Sequence, residues 1–252
     1  MDLGIDGRVV LVTGASGAIG SAISRVFAAE GARVAAAWHS NEAGARSLVD
    51  SIIESGGEAM TVRIDHRDQE SIADSVRQVE HEFGEVAILV ANAVSWPTTM
   101  TDTWESLTDG LTTNTAGTMA VIGAVLPGMR KAGWGRLVLI STDIVEQPMA
   151  AGVAYSAAKG ALETATKVLA VREARHGILS NVVRPGFTLT ERALTTPGFG
   201  RKAVDSEAAK TPTRRICTPQ DVASAVAYLG SAANGHANGE VLSVAGGRHL
   251  TR

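Results

Sequence analysis

A tyrosine and a lysine four residues apart carry the strongest chemical signal in the sequence, in the segment YSAAK from Tyr155 to Lys159. In a helix the two side chains lie on one face, so we expect the phenol and the ammonium to be neighbours. Because a nearby cation favours the phenolate, we expect Lys159 to lower the pKa of Tyr155 and the pair to act as a general acid–base. Apolar residues at 161, 162, 165, 168 and 169 predict a buried helix, and the alternative is an ordinary pair on a surface helix.

A glycine-rich turn near the N-terminus is typical of a site for nucleotide phosphates. The segment TGASGAIG, residues 13–20, separates a predicted strand from a helix predicted to begin near Ser21. Gly14 permits a tight turn, Gly17 lets the backbone approach a pyrophosphate, and Gly20 allows close packing of the helix on the strand. Any turn between a strand and a helix can use glycine, but the position after the first strand favours a dinucleotide site. The segment does not match GxxxxGK[ST], so a Walker phosphate loop is not predicted.

The residues after the second predicted strand indicate which dinucleotide is bound. An NAD site needs a carboxylate there for the ribose 2′-hydroxyl, but no Asp or Glu occurs between Arg33 and Asn41. Ser40, Asn41 and the N-terminus of the following helix can instead donate hydrogen bonds to a 2′-phosphate. The pattern therefore favours NADP(H), and the alternative is that the two side chains only cap that helix.

Seven runs of β-branched and aliphatic residues alternate with stretches of helical period, and both are needed to position these groups. The runs are mostly continuous, as expected of strands covered on both faces, and they span 8–13, 33–37, 60–64, 86–91, 136–141, 179–184 and 240–244. The alternation predicts an α/β fold, a single Rossmann-type doubly wound parallel sheet with helices on both faces, in one domain over 1–252. A helix is predicted over 68–83, and Thr218 is predicted to cap another helix. Residues 95–102 and 189–216 are predicted to be loops at carboxyl ends of strands, where ligands bind.

Composition and charge exclude several classes of protein. The chain has 252 residues with 23 Lys+Arg and 26 Asp+Glu, a net charge of −3, and no basic run, so nucleic-acid binding is not expected. Hydrophobic residues make up 45% of the chain, which supports one sizeable core and opposes disorder. We see neither a signal peptide nor an apolar run of the ~20 residues that span a bilayer, so a cytoplasmic protein without membrane contact is expected. The single cysteine, Cys217, is consistent with a reducing compartment.

The order of these motifs resembles the short-chain dehydrogenase/reductase family over roughly residues 5–248. Compact members carry TGxxxGxG; this chain has Ala18 at the middle glycine, and its spacing is similar to the TGxxGxxG of the extended branch. The stretch SNE at 40–42 resembles the signature of NADP(H)-preferring members, with His39 where an arginine is expected. The last segment, GEVLSVAGG at 239–247, resembles the 3-oxoacyl-(acyl-carrier-protein) reductase type. The resemblance implies NADP(H)-dependent reduction of a small-molecule or carrier-bound ketone to a secondary alcohol, by a homo-oligomer that is a tetramer or a dimer.

The resemblance also implies roles for individual residues. Thr142, with Ser141 in reserve, is expected to polarise the substrate carbonyl, Tyr155 to deliver the proton, and Asn114 to position a water beside Lys159. Asp65 and His66 are expected at the adenine. Asn92 and Ala93 are expected beside the cofactor ribose, where Val94 replaces a glycine of the family. The PG motif that begins at Pro185 is expected at the nicotinamide. The expected cofactor-binding residues are Gly14, Ser16, Gly17, Ile19, Gly20, Ser40, Asn41, Asp65, His66 (through its backbone), Asn92, Ala93, Tyr155, Lys159, Pro185, Gly186, Phe187 and Thr190, and no metal site is expected.

Alternatives to a ketone reductase remain open. Ala18 and Val94 motivate a nucleotide-binding regulator with the same fold and little turnover, which the intact Asn–Thr–Tyr–Lys set opposes. Dehalogenase relatives lack the glycine-rich turn and replace the lysine, which opposes dehalogenation or epimerisation. Substrate choice is expected to depend on 94–102 and 189–216. There Trp96, Met100, Leu194 and Phe199 can line an apolar pocket or contact another subunit, and Arg201, Lys202, Arg214 and Arg215 can attract an anionic carrier or be plain solvated surface.

Overall fold

Seven parallel strands form one sheet in the computed structural model, which describes residues 2–96, 102–148, 152–195 and 200–251. Each predicted run overlaps one strand, and the bounds of the strand differ from those of the run by two residues or fewer at either end. The strands are β1 Val9–Thr13, β2 Arg33–Trp38, β3 Glu58–Arg63, β4 Val86–Ala91, β5 Gly135–Ile140, β6 Ile178–Pro185 and β7 Val241–Val244. Their order across the sheet is β3-β2-β1-β4-β5-β6-β7. The order reverses between β1 and β4, so a crevice for ligands is expected at the carboxyl ends of these two strands.

Helices cover both faces of the sheet, which confirms the predicted doubly wound α/β fold. They are α1 Ala18–Ala29, α2 Glu42–Glu54, α3 Gln69–Phe83, α4 Trp104–Leu111, α5 Gly117–Ala132, α6 Val153–Glu173, α7 Glu191–Thr195, α8 Arg201–Lys210 and α9 Pro219–Leu229. Residues of α1, α2 and α9 share one apolar core, and residues of α3, α5 and α6 share the other. Along β1, Val10 and Val12 belong to the first core while Leu11 belongs to the second. A strand buried on both faces needs apolar residues at every position, which explains the continuous runs.

Local signals at helix ends are reproduced with small shifts. Asp68 is the N-cap of α3 and accepts from the backbone N–H groups of Glu70 and Ser71, while Thr218 forms a reciprocal capping box with Asp221 at the start of α9. Helix α1 begins at Ala18 rather than near Ser21, because Gly17 already has the extended backbone of an N-cap.

The prediction of one long loop over 189–216 is wrong. Helices α7 and α8 lie inside this segment, and they are short and mostly exposed. A short exposed helix has few apolar positions, so it leaves little periodic signal in the sequence. None of the described helices is long and apolar enough to cross a membrane.

Candidate active site

The glycine-rich turn is shaped by two close backbone contacts. Gly14 has φ +65°, and a Cβ there would lie 2.9 Å from the Cα of Ala93. A Cβ at Gly20 would lie only 2.3 Å from the carbonyl oxygen of Gly14, so no side chain fits at that position. Among the described residues no side chain caps α1 and no acidic residue stands in its first turn. The helix N-terminus is therefore suited to an anion such as a pyrophosphate.

A clamp between the ends of β1 and β4 fixes the floor of this turn. The Thr13 hydroxyl accepts from the backbone N–H groups of Asn92 and Ala93, each at 3.0 Å. The Asn92 side-chain amide donates to the carbonyl oxygens of Thr13 at 3.0 Å and Gly14 at 3.1 Å. These four hydrogen bonds hold the two strand ends beside each other, where the sheet order reverses.

The expected adenine end contains a carboxylate paired with a histidine. Asp65 accepts from the backbone N–H of Arg67 at 2.9 Å, and its carboxylate lies 3.2 Å from Nε2 of His39. The hydrogen bond from Arg67, assisted by His39, holds the pKa of Asp65 below its usual value. The side chain of His66 is turned inward, with Nδ1 3.1 Å from the carbonyl oxygen of Thr113, and burial lowers its pKa.

A cleft of about 680 Å³ joins these features, with the glycine-rich turn and the adenine end in its wall. Asn41 does not line it and caps α2 instead, accepting from Gly44 N–H at 3.0 Å, so the capping alternative fits Asn41 better than a contact to a 2′-phosphate. The predicted cofactor residues in the wall are Gly14, Ser16, Gly17, Ile19, Gly20, Ser40, Asp65, His66, Asn92, Ala93 and Thr190. Of the described residues predicted to bind cofactor, Asn41, Tyr155, Lys159, Pro185, Gly186 and Phe187 are outside the lining of this cleft.

Tyr155 lies in the first turns of α6, buried beside the carboxyl end of β5. The Thr142 side chain acts on its hydroxyl to lower its pKa, and its ring stacks on Trp96 with centroids 4.7 Å apart. Burial raises the pKa of Tyr155 to about 12. Among the described residues, the cation that opposes this rise is Arg192.

The expectation that Lys159 lowers the pKa of Tyr155 is therefore wrong for this structure. Lys159 is only 2% exposed, and its ammonium donates to the carbonyl oxygen of Ile140 at 2.8 Å. Burial lowers the pKa of Lys159 itself to about 8. Spacing along the helix brings the two residues to one face, but the lysine head group is directed to the end of β5.

Of the two hydroxyls at the end of β5, Thr142 is the one that meets Tyr155. Ser141 donates to the buried carboxylate of Glu163 at 2.6 Å, and Glu163 also accepts from Arg184 at 2.7 Å. This engagement removes Ser141 from the candidate catalytic groups. Thr142 opens the short 3₁₀ turn over Asp143–Val145, where its hydroxyl accepts from Ile144 N–H at 3.4 Å.

Asn114 occupies a π-helical turn, Thr112–Ala116, between α4 and α5. Its side chain is buried and clamps Ser95, accepting from the backbone N–H at 2.7 Å and donating to the backbone C=O at 2.9 Å. A π-turn inside a helix often marks a functional position. Here it holds the chain after β4, including Trp96, over the face of Tyr155.

The PG motif follows β6 and is fixed by backbone hydrogen bonds. Gly186 N–H donates to the Val244 carbonyl at 3.0 Å, and Cys217 N–H donates to the Phe187 carbonyl at 3.1 Å. The Thr190 hydroxyl accepts from Ala193 N–H at 3.1 Å and so stabilises α7. Burial raises the pKa of the Cys217 thiol to about 11, so this cysteine is unreactive in ordinary conditions.

Two charged residues near Tyr155 were not predicted. The Arg192 guanidinium carbon lies 4.2 Å from the ring centre of Trp96, and Asp143 is a largely buried acid whose pKa is raised by that burial. Arg192 lies in α7, which has little sequence signal, and nothing in the spacing of Asp143 distinguishes it from a turn residue.

The four cations proposed to attract a carrier are mostly engaged locally. Arg201 pairs with Asp205 at 3.1 Å, Arg215 pairs with Asp221 at 2.5 Å, and Arg214 donates to the Ala209 carbonyl at 2.9 Å. These contacts favour the interpretation of an ordinary solvated surface. Leu194 is 44% exposed, while Met100 and Phe199 lie outside the described residues.

Comparisons with known proteins agree with this geometry. A family model described as Enoyl-(Acyl carrier protein) reductase matches residues 14–249. The chain is 34% identical to the 3-oxoacyl-[acyl-carrier-protein] reductase FabG of Vibrio cholerae, covering 98% of this chain and 100% of that protein. The solved gluconate 5-dehydrogenase of Burkholderia cenocepacia, in complex with NADP and tartrate, has a TM-score of 0.88 and 28% identity, covering 100% of this chain and 98% of that one. The L-sorbose reductase of Gluconobacter frateurii, complexed with NADPH and L-sorbose, has a TM-score of 0.91 and 27% identity, covering 100% of both chains.

Proposed function

The chain belongs to the short-chain dehydrogenase/reductase family, and we propose that it uses NADPH to reduce a ketone to a secondary alcohol. One observation carries this proposal: the Tyr155 ring is buried against Trp96, which lines the cleft, and the Thr142 side chain acts on the phenol hydroxyl to lower its pKa. Two hydroxyls at such a point can bind one carbonyl oxygen between them. The catalytic unit is proposed to be one domain.

The residues present fit a dinucleotide. The pyrophosphate would rest on the N-terminus of α1, where Gly14 and Gly20 leave no room for side chains. Ser40 in the cleft wall and the lack of an acid over 33–41 support a 2′-phosphate, and hence NADP(H) over NAD(H). The naming of NADP and NADPH in the complexes of two structural neighbours supports the same choice.

The proposed chemistry assigns the proton to Tyr155. When bound, NADPH supplies a hydride to the carbonyl carbon. The Thr142 and Tyr155 hydroxyls bind the carbonyl oxygen, and the phenol passes its proton to that oxygen as negative charge develops there. Because burial holds the pKa of Tyr155 near 12, the group is a protonated donor at neutral pH.

Lys159 and Asn114 are proposed to support this step without contacting the carbonyl. The buried ammonium of Lys159 can donate hydrogen bonds to the ribose hydroxyls of the cofactor, and it supplies positive charge to a site from which water is excluded. Asn114 positions the segment of Ser95 and Trp96 through its two hydrogen bonds. Its part in a proton relay to solvent remains a prediction from the family.

The substrate is proposed to be a ketone, either free or bound to a carrier. The similarity to FabG supports a 3-oxoacyl carrier substrate, and the similarity to L-sorbose reductase supports a free ketone. A ketone of secondary metabolism stays a prediction from the sequence. We also propose a cytoplasmic homo-oligomer, a tetramer or a dimer. Large apolar side chains exposed on α4 and α6 support it, since exposed apolar surface often marks a protein contact: Trp104 at 79%, Val168 at 58% and Val171 at 84%.

The test compares the two tyrosines of the chain. Oxidation of NADPH and of NADH is followed by absorbance with a panel of ketones, for wild type, Tyr155→Phe and Tyr228→Phe. We expect Tyr155→Phe to bind NADPH normally and to lose about 10²- to 10⁴-fold in kcat, the usual contribution of a general acid. Tyr228 is 41% exposed and serves as the control. Binding of NADPH without turnover of any ketone by wild type would instead favour the regulator.

A further inference from the structure

Trp96 stacks on the proposed reacting phenol and has a guanidinium against its own ring. The centroids of Trp96 and Tyr155 are 4.7 Å apart, and the guanidinium carbon of Arg192 lies 4.2 Å from the centre of the Trp96 ring. The guanidinium carbon and the centre of the phenol ring are therefore separated by no more than the sum of these two distances. Both Arg192 and Trp96 line the cleft. A cation thus lies within the length of a small molecule of the proposed reacting group.

The charge of Arg192 is not neutralised by the protein. Among the described residues no carboxylate lies within ion-pair distance of its guanidinium, although Glu191 is its neighbour in sequence. The other arginine of the cleft wall, Arg67, is paired with Asp109 at 2.7 Å, and His39 is paired with Asp65. An arginine stacked on an aromatic ring is held through its face, and its in-plane N–H groups stay available to an anion.

We propose that Arg192 binds a carboxylate carried by the ketone itself, so that the substrates are small oxo acids. This inference rests on the proposed function, because it places the carbonyl at Tyr155. The planar fork of N–H donors matches a carboxylate, with two parallel hydrogen bonds. The short separation from Tyr155 requires that only a few bonds join the carboxylate to the carbonyl.

The same separation argues against a carrier phosphate as the anion. In a carrier-bound ketone, the phosphate is separated from the thioester by the whole pantetheine arm, many bonds longer than the distance across the stack. Arg192 is exposed on α7 and lines the cleft, so an anion can reach its guanidinium from solvent. An anion bound there gains a charged hydrogen-bonding partner.

Binding is measured first, separately from turnover. Calorimetry on the NADP⁺-saturated enzyme compares 3-oxobutanoate and 4-oxopentanoate with their methyl esters, for wild type, Arg192→Met, Arg192→Lys and Arg77→Met. We expect each acid to bind about 10- to 100-fold more tightly than its ester, the usual effect of a charged hydrogen-bonded pair. Arg192→Met should abolish that ratio and Arg192→Lys should restore part of it. Arg77, exposed on α3 and paired with Asp74, is the matched control.

The outcomes separate this inference from the proposed function. Equal binding of acids and esters by wild type, or no binding of either acid, overturns the role of Arg192 whatever the ketone panel shows. An acid-to-ester ratio that survives Arg192→Met also overturns it, and weaker NADPH binding alone in that variant would assign the guanidinium to the cofactor. By contrast, acids that bind through Arg192 but are not reduced with NADPH would refute the proposed reaction and leave the anion site standing.

Discussion

Replacing Lys159 with methionine should raise the stability of the folded protein at neutral pH while removing activity. Burial lowers the pKa of Lys159 from 10.5 to about 8, and one pKa unit corresponds to about 1.4 kcal/mol. The charged lysine therefore costs the folded state about 3 kcal/mol below pH 8. Methionine removes this cost but leaves the Ile140 carbonyl without its donor, a loss of roughly 1–3 kcal/mol. The net expectation at pH 7 is a gain of up to about 2 kcal/mol.

The pH dependence of the stability difference between wild type and Lys159→Met gives the sharper test. The loss at the Ile140 carbonyl does not change with pH, so it cancels from that dependence. Between pH 8 and 10.5 the unfolded lysine still binds its proton while the folded one has lost it, so wild-type stability rises with pH. Urea unfolding at fixed protein concentration from pH 7 to 10.5 should show the advantage of Lys159→Met falling by about 3 kcal/mol. Lys167→Met, which removes an exposed lysine of α6, is the control. Parallel curves for wild type and Lys159→Met would refute the buried, unpaired ammonium.

Three further predictions concern the turn, the hydroxyls and acid stability. Gly20→Ala should raise the Kd for NADPH by at least about 100-fold, because its Cβ meets a carbonyl oxygen at 2.3 Å, whereas Gly123→Ala on α5, where no described atom lies within 4 Å of a Cβ, should bind nearly as wild type in fluorescence titrations. Thr142→Ala should lower kcat by about 10²-fold and Ser141→Ala should not, and the reverse order in steady-state assays would contradict the assignment. The pKa of Glu173 is held at about 2 by hydrogen bonds from two arginines, so stability should fall as pH falls from 4.5 through 2, and Glu173→Gln should flatten that part of the acid-unfolding curve.

The sheet was predictable because burial on both faces leaves a signal at every strand position. Residues 86–91 show this most clearly, since the predicted run and the strand Val86–Ala91 coincide. Capping residues such as Asp68 and Thr218 also act locally, so their effect can be read from a few neighbouring residues. Helices α7 and α8 gave no comparable signal, because each has only one buried residue, Ala193 in α7 and Val204 in α8.

The sequence places Tyr155, Lys159 and the glycine-rich turn correctly on their elements, but it does not predict the electrostatics of the site. Helical spacing brings Tyr155 and Lys159 to one face, yet it does not fix where a flexible lysine directs its ammonium, which here meets Ile140. The family resemblance already favours Thr142 over Ser141, and the hydrogen bond from Ser141 to Glu163, which no local pattern records, agrees with that choice. The contact of Arg192 with Trp96 joins segments almost a hundred residues apart, and no local pattern records it.

The most direct test of the proposed function is transfer of deuterium from NADPH labelled at C4 of the nicotinamide to a ketone. Two samples of NADPH are used, each with deuterium on one of the two faces of the nicotinamide at C4. The wild-type protein is incubated with each sample and the panel of ketones and oxo acids, and the products are analysed by mass spectrometry and NMR. We expect deuterium at the former carbonyl carbon from one of the two labels and not from the other. Tyr155→Phe should lower the yield of labelled alcohol by at least about 10²-fold. A protein that binds the labelled NADPH and yields no labelled alcohol from any ketone would contradict the proposed reaction.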